Sequence, residues 1–353
     1  MISSRPPARA HNQNVISTYR YLRAAMIALL FMLVLSPIYQ WAFVPAEAGG
    51  RCLLGSISAY YFTPARTVFV GSLFALGACL IAYKGHSREE DVLLNFSGFM
   101  AFVVAIVPTA PDLGCGTNLY SQTVPEIEAA VRNNFTVLLA VTLVATIVLL
   151  ILRRRASSQS DSKPARDPLV WIIWLVAVGV VVGEILLFLL RQGEFIAVSH
   201  GFAAVTMVAG VIAVMALSAR KTEERFERRG DPASKPQVKG QATADAPAAR
   251  TGRFFKARVA RTQLNAAVRR YRDTYLGIAI ALGVSLVGTV IVWYFTGLAQ
   301  FIFWVEVIVV VLFAVYWIVQ TVELRNLTEA LTINTDEGDG QPEVTDAEDD
   351  SGG

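Results

Sequence analysis

Apolar residues fall in long blocks along this chain, with no sustained alternation and little amphipathic striping. A helix that crosses about 30 Å of hydrocarbon needs roughly 20 mostly apolar residues. Eight stretches approach that requirement: Ala24–Val44, Ala65–Tyr83, Val92–Pro108, Phe135–Leu152, Leu169–Leu190, Ala197–Leu217, Thr274–Gly297 and Phe301–Glu323. A helix satisfies its own backbone inside lipid, whereas barrel strands would show a period of two that is missing here. The pattern predicts an all-α fold, a polytopic transmembrane helical bundle of about eight spans.

The polar intervals give that bundle its divisions and its orientation. Residues 1–23 form a leader and 24–218 hold the first six spans. A basic connection follows over 219–273, then the last two spans over 274–323 and an acidic tail over 324–353. Cytoplasmic loops carry the excess of Lys and Arg. With the N-terminus inside, all but Arg51, Arg66, Arg132 and Arg191 of the 31 Lys and Arg residues lie on the inner side. Both termini are therefore expected in the cytoplasm, with the chain in the cell (inner) membrane. Ala46-Glu47-Ala48 imitates a signal-peptidase site. The apolar run before it exceeds the roughly 7–15 residues of a signal-peptide core, so the first span is expected to be retained.

Composition agrees: 54% of the residues are hydrophobic and 17% charged, against about 25% charged in soluble domains. That excludes a secreted disulfide scaffold, a fibrous protein and a mainly disordered chain. The net charge of +3 hides an asymmetry, because the tail from Asn326 holds nine acidic residues and no Lys or Arg. Thr335–Gly353 is almost devoid of apolar residues and is expected to be disordered, as is the mixed stretch Thr222–Thr251. From Arg253 to Arg272, Ala257, Ala260, Leu264, Ala267, Val268 and Tyr271 recur at helical spacing among Arg258, Arg261, Arg269, Arg270 and Arg272. A basic amphipathic helix of this kind suits anionic lipids on the cytoplasmic face. It equally serves as a polar lead-in that enforces topology. No base-reading chemistry accompanies the basic residues, so a nucleic-acid partner is not expected.

Cys79 lies within the second span, while Cys52 and Cys115 fall on the outer side. In an oxidising compartment Cys52 and Cys115 can bridge the first two outer loops; the alternative is two unpaired loop cysteines. No CxxC or Cys/His grouping indicates a metal, and no cofactor is expected. Phosphate-loop, HExxH, GxSxG and dinucleotide signatures are missing. His11 and His86 fall inside and His200 outside, so a three-histidine intramembrane site cannot assemble. An enzyme is not expected.

Ionisable groups within spans are costly, so each is a candidate for function. Arg66, Glu184, His200 and Glu306 lie at similar depth near the outer interface, in four separate segments. They suggest an outward-facing polar pocket. Arg66 would hold an anion or lipid headgroup while Glu306 orients His200, or His200 and the glutamates would change charge during transport. The alternative is an ion-pair network that only fixes packing. Gly71 and Gly77 in the second span allow close helix contact, and Gly179 and Gly183 form a GxxxG pair in the fifth.

Ser56–Arg66, Val70-Gly71, Tyr83-Lys84-Gly85, Asn95-Phe96-Ser97-Gly98 and Val107-Pro108-Thr109, with Ser199-His200-Gly201-Phe202 and Phe303-Trp304-Val305-Glu306, resemble a pattern in uncharacterised bacterial multi-span membrane proteins. The pattern is distantly similar to the DRAM/Frag/Sfk six-span group. The resemblance covers under a third of the chain, which departs from it in its fourth and fifth spans and its basic connection. It implies a non-enzymatic membrane role tied to lipid organisation or traffic. The expected function is thus an integral membrane protein that binds lipid headgroups or an unknown protein partner through the polar pocket. The alternative is a small-solute or proton-coupled transporter, whose inner polar route would have little beyond Asn95 and Ser97.

Overall fold

The computed structural model describes residues 8–45, 52–109, 123–157, 167–230, 247–296 and 299–336. Among them the fold is all-helical, with α1 (Ala8–Phe43), α2 (Arg66–Ala82), α3 (Arg88–Ile106), α4 (Val124–Ser157), α5 (Pro168–Leu190), α6 (Gln192–Gly230), α7 (Pro247–Thr296) and α8 (Ala299–Asp336). A short 3-10 turn, Ser58–Phe62, precedes α2. Five helical segments are long and apolar enough to cross a membrane: Ser17–Phe43, Val124–Leu152, Pro168–Leu190, Gln192–Lys221 and Phe301–Glu323. The other three expected spans are helical as well. Of these, α2 is a shorter apolar helix of 17 residues, and α3 opens with Glu89, Glu90 and Asp91 in its first turn.

Several helices overrun their apolar blocks, because extending an existing helix through Ala, Leu, Glu and Arg costs little. The leader is helical from Ala8, α6 continues to Gly230, and α8 continues to Asp336 through residues expected to belong to the tail. The stretch expected as a separate amphipathic helix is the first half of the 50-residue α7, in line with its apolar half. Arg269 and Arg270 are exposed there and Arg272 pairs with Asp273, while the side chains of Arg258 and Arg261 lie outside the described residues. Cys115, residues 46–48 and most of the acidic tail also lie outside them.

Six helices close into a ring in which α1 packs on α2, α2 on α3, α3 on α6, α6 on α7, α7 on α8 and α8 back on α1. The chain skips α4 and α5, which sit outside the ring. Only 6% of the most apolar window of α4 is buried, against 39% for α6. A cluster of Phe135, Phe188 and Phe195, with centroids 4.7–5.2 Å apart, pins α4 to α5 and α6 near one end.

Glycine sets the α2–α3 seam of the ring. A Cβ on Gly77 would lie 2.7 Å from the Gly98 carbonyl oxygen, and one on Gly98 would lie 2.6 Å from that of Gly77. No larger residue permits this approach of α2 and α3. Gly179 and Gly183 instead face open space, with nothing within 4 Å of an added Cβ. The GxxxG pair therefore makes no helix seam among the described residues. Between α2 and α3 the chain turns in five residues. Ser87 caps α3 by accepting the Glu90 N–H, while Glu90 and Asp91 accept the His86 and Gly85 amides, both at 2.7 Å.

Candidate functional site

The 3-10 turn starts at Ile57, whose side chain offers no cap. The cap comes from the far end of the sequence: the Ile57 amide donates to Glu306 Oε2 at 2.5 Å, and Ser58 Oγ to Glu306 Oε1 at 3.5 Å. The Phe303 amide also donates to the Gly55 carbonyl at 2.8 Å, so the loop before α2 is clamped to the first turn of α8. His200 does the converse. Pro108 ends α3, and His200 Nδ1–H donates to the orphaned Val107 carbonyl at 2.6 Å. An acid thus sits at a helix N-terminus and an imidazole at a helix C-terminus, each on the side the helix dipole favours.

Both groups also line one cavity of about 360 Å³ inside the ring, to which all six ring helices contribute. Its polar atoms gather at this end, from Ser56, Ser58, Thr109, His200, Thr289 and Glu306. Farther in, the walls are Leu33, Leu73, Met207, Val208, Val309 and Val310, which also border a smaller cavity of about 80 Å³. Every residue around the smaller cavity is apolar. The lining includes Val205, which is 41% exposed, so the larger cavity reaches the flank of the bundle beside α6.

Arg66 and Glu184 are not in this cavity's lining. Arg66 donates to the Tyr61 hydroxyl at 2.8 Å, stacks over the Tyr61 ring at 4.3 Å, and lines a second cavity between α2, α3 and α4. Glu184 is 3% exposed and neighbours Ser199 across the α5–α6 seam. Its Oε2 has no hydrogen-bond partner among the described residues. Of the four residues expected to converge, the structure brings together His200 and Glu306. A position near one end of an apolar block leaves open which way each helix turns its side chain.

Comparison with protein-family models, curated proteins and solved structures finds no match. The functional reading therefore rests on the chain's own geometry.

A second polar cluster lies at the opposite end of the ring. Arg23 is 2% exposed. It donates from Nη1 to the Gln320 carbonyl at 3.0 Å and from Nη2 to the Tyr83 hydroxyl. Gln320 Nε2 donates to the Tyr316 hydroxyl, which meets Ser218 Oγ at 3.3 Å, and Ser218 donates to Glu90 at 3.5 Å. Tyr275 donates to Glu323 beside them. Five ring helices supply a member, and Tyr83 joins from the C-cap of α2. Its sequence signal was present: Tyr316, Gln320 and Glu323 recur at helical spacing on one face of α8. Cys79 is a free thiol and Cys52 is disulfide-bonded, while its expected partner Cys115 lies outside the described residues.

Proposed function

We propose that this chain is a non-enzymatic integral membrane protein that binds an amphiphile inside its six-helix ring. The carrying observation is the cavity that is polar at the His200–Glu306 end and wholly apolar below. Ligand sites commonly have volumes of about 300–1,000 Å³, apolar walls and a few convergent polar groups, and this cavity fits that description. Its lining holds a carboxylate and hydroxyls but no Lys or Arg. That favours a head that donates hydrogen bonds, such as a hydroxyl, amide or amine, over the anion expected from Arg66. The exposed wall at Val205 provides side access for a tail.

The eight-span reading, with both termini inside and the cell membrane as location, is part of this proposal. Large side chains such as Leu143, Ile147, Leu150, Trp171, Ile172 and Leu175 are 48–62% exposed on α4 and α5. Such a surface is untenable in water and ordinary against lipid or a protein partner. Anionic lipids at the basic first half of α7 belong to the same reading. Passage of a solute is disfavoured by the apolar cavity and the polar network beneath it.

The test is lipid analysis of the full chain purified in mild detergent. Wild-type protein is expected to retain a neutral hydroxyl- or amine-headed lipid that Ala204→Trp, which fills the cavity, excludes. Equal retention by the two would contradict the proposal. Proton flux in proteoliposomes carrying a pH-sensitive dye would favour the transporter instead.

A further inference from the structure

We infer a second lipid site, outside the ring, in which Arg66 anchors the phosphate of a phospholipid whose chain lies between α2, α3 and α4. The aromatic cluster at Phe135 holds α4 at one end, and below it α4 barely touches the ring. The resulting wedge is a cavity of about 850 Å³, larger than the one inside the ring. Its walls are apolar, including Val70, Phe74, Phe102, Val137 and Val141. Phe74 and Phe102 stack at 5.3 Å to form its floor. Gly71, on the same face of α2, has nothing within 4 Å of an added Cβ, so no side chain fills the gap there.

The head end of the wedge is built differently. Arg66 is half-buried, with the Tyr61 ring against one face of its guanidinium and the Tyr61 hydroxyl taking one N–H. No carboxylate pairs with it among the described residues. Asn133 and Asn134 bring two exposed amides to the same cavity. A fixed guanidinium with no counter-ion among the described residues, amides beside it and an apolar groove below match a phosphate joined to an acyl chain. The ring cavity offers the opposite chemistry, so the two sites separate lipids by charge. Embedding in a membrane is shared with the proposed function, but occupancy of the ring is not.

The full chain in detergent, examined by native mass spectrometry with phosphatidylglycerol, tests the site. Diacylglycerol is the phosphate-free control and glycerol phosphate the chain-free competitor. Wild-type protein is expected to hold phosphatidylglycerol about tenfold more tightly than diacylglycerol. Arg66→Gln, which removes the cation and keeps a hydrogen-bonding amide, is expected to erase that difference. Val141→Trp, on an exposed face of α4, is expected to weaken both lipids without disturbing the fold. Ala204→Trp, which fills the ring cavity and does not line the wedge, is expected to leave phosphatidylglycerol retention unchanged, which separates failure of this site from failure of the ring cavity. Undiminished retention in Arg66→Gln or Val141→Trp would overturn the inference. Displacement by glycerol phosphate would also overturn it, because the site would then bind free phosphate.

Discussion

Arg20 and Arg23 count equally in any reading of topology from basic residues, yet the structure gives them different work. Arg20 is exposed, whereas Arg23 is buried under α8 and bonded to the Gln320 carbonyl and the Tyr83 hydroxyl, its guanidinium 5.2 Å from the Tyr83 ring. Arg23→Met keeps the aliphatic length and removes the cation. Two charge-assisted hydrogen bonds contribute about 1.5–3 kcal/mol each, and breaking a buried charged set costs about 3–5 kcal/mol. Part of the first sum is offset because the mutant no longer desolvates a guanidinium, so a loss of about 3–5 kcal/mol is expected. Reversible unfolding in mixed micelles of increasing dodecyl sulfate would measure it. Arg20→Met is expected to stay within about 0.5 kcal/mol of wild type. Arg23→Met combined with Tyr83→Phe should be less damaging than the sum of the single changes, with a coupling of about 1–2 kcal/mol. An Arg23→Met protein as stable as Arg20→Met would refute the buried network.

Three further predictions follow from the packing. Gly98→Ala should lose about 1–3 kcal/mol because its methyl meets the Gly77 carbonyl, whereas Gly183→Ala should be neutral or gain up to about 1 kcal/mol, both by the same unfolding assay. Glu89, next to Lys221 at 2.6 Å, is pushed up by burial. Hydrogen bonds from Lys221, Ser87 and its own backbone outweigh that and hold its pKa at about 2. Its depressed pKa means the stabilisation is complete above the ordinary value of 4.5 and disappears as pH falls toward about 2. Thermal unfolding across that range should show the decline in wild type and a flatter profile in Lys221→Met. Glu184→Gln should match or exceed wild-type stability, because one buried carboxylate oxygen lacks a partner among the described residues. It should also leave lipid retention at both cavities unchanged, since Glu184 lines neither.

The apolar blocks made all eight helices legible, because residues that run apolar for a helix-crossing length have few other structures open to them. Helix ends were less so. The polar starts of α1 and α7 and the end of α8 prolong helices by propensity, which a reading based on apolarity truncates. The ring was not legible at all. That α3 packs on α6 while α4 and α5 stand outside depends on which face each helix turns inward, and blocks that are apolar all round carry no such mark. The same limit governed the site. Arg66, Glu184, His200 and Glu306 each lie near one end of an apolar block, but α2 turns Arg66 toward α4 and α5 turns Glu184 toward α6. Arg23 escaped notice for the complementary reason. A basic residue at the edge of a span reads as a topology signal until Tyr83 and Gln320 are seen to enclose it.

The most direct test of the ring cavity is an experimental density map of the chain in lipid nanodiscs. Elongated density is expected inside the ring, its head within hydrogen-bonding distance of His200 or Glu306 and its tail among Leu33, Leu73, Val309 and Val310. A water-filled path running unbroken from Glu306 to the Arg23 network would contradict it.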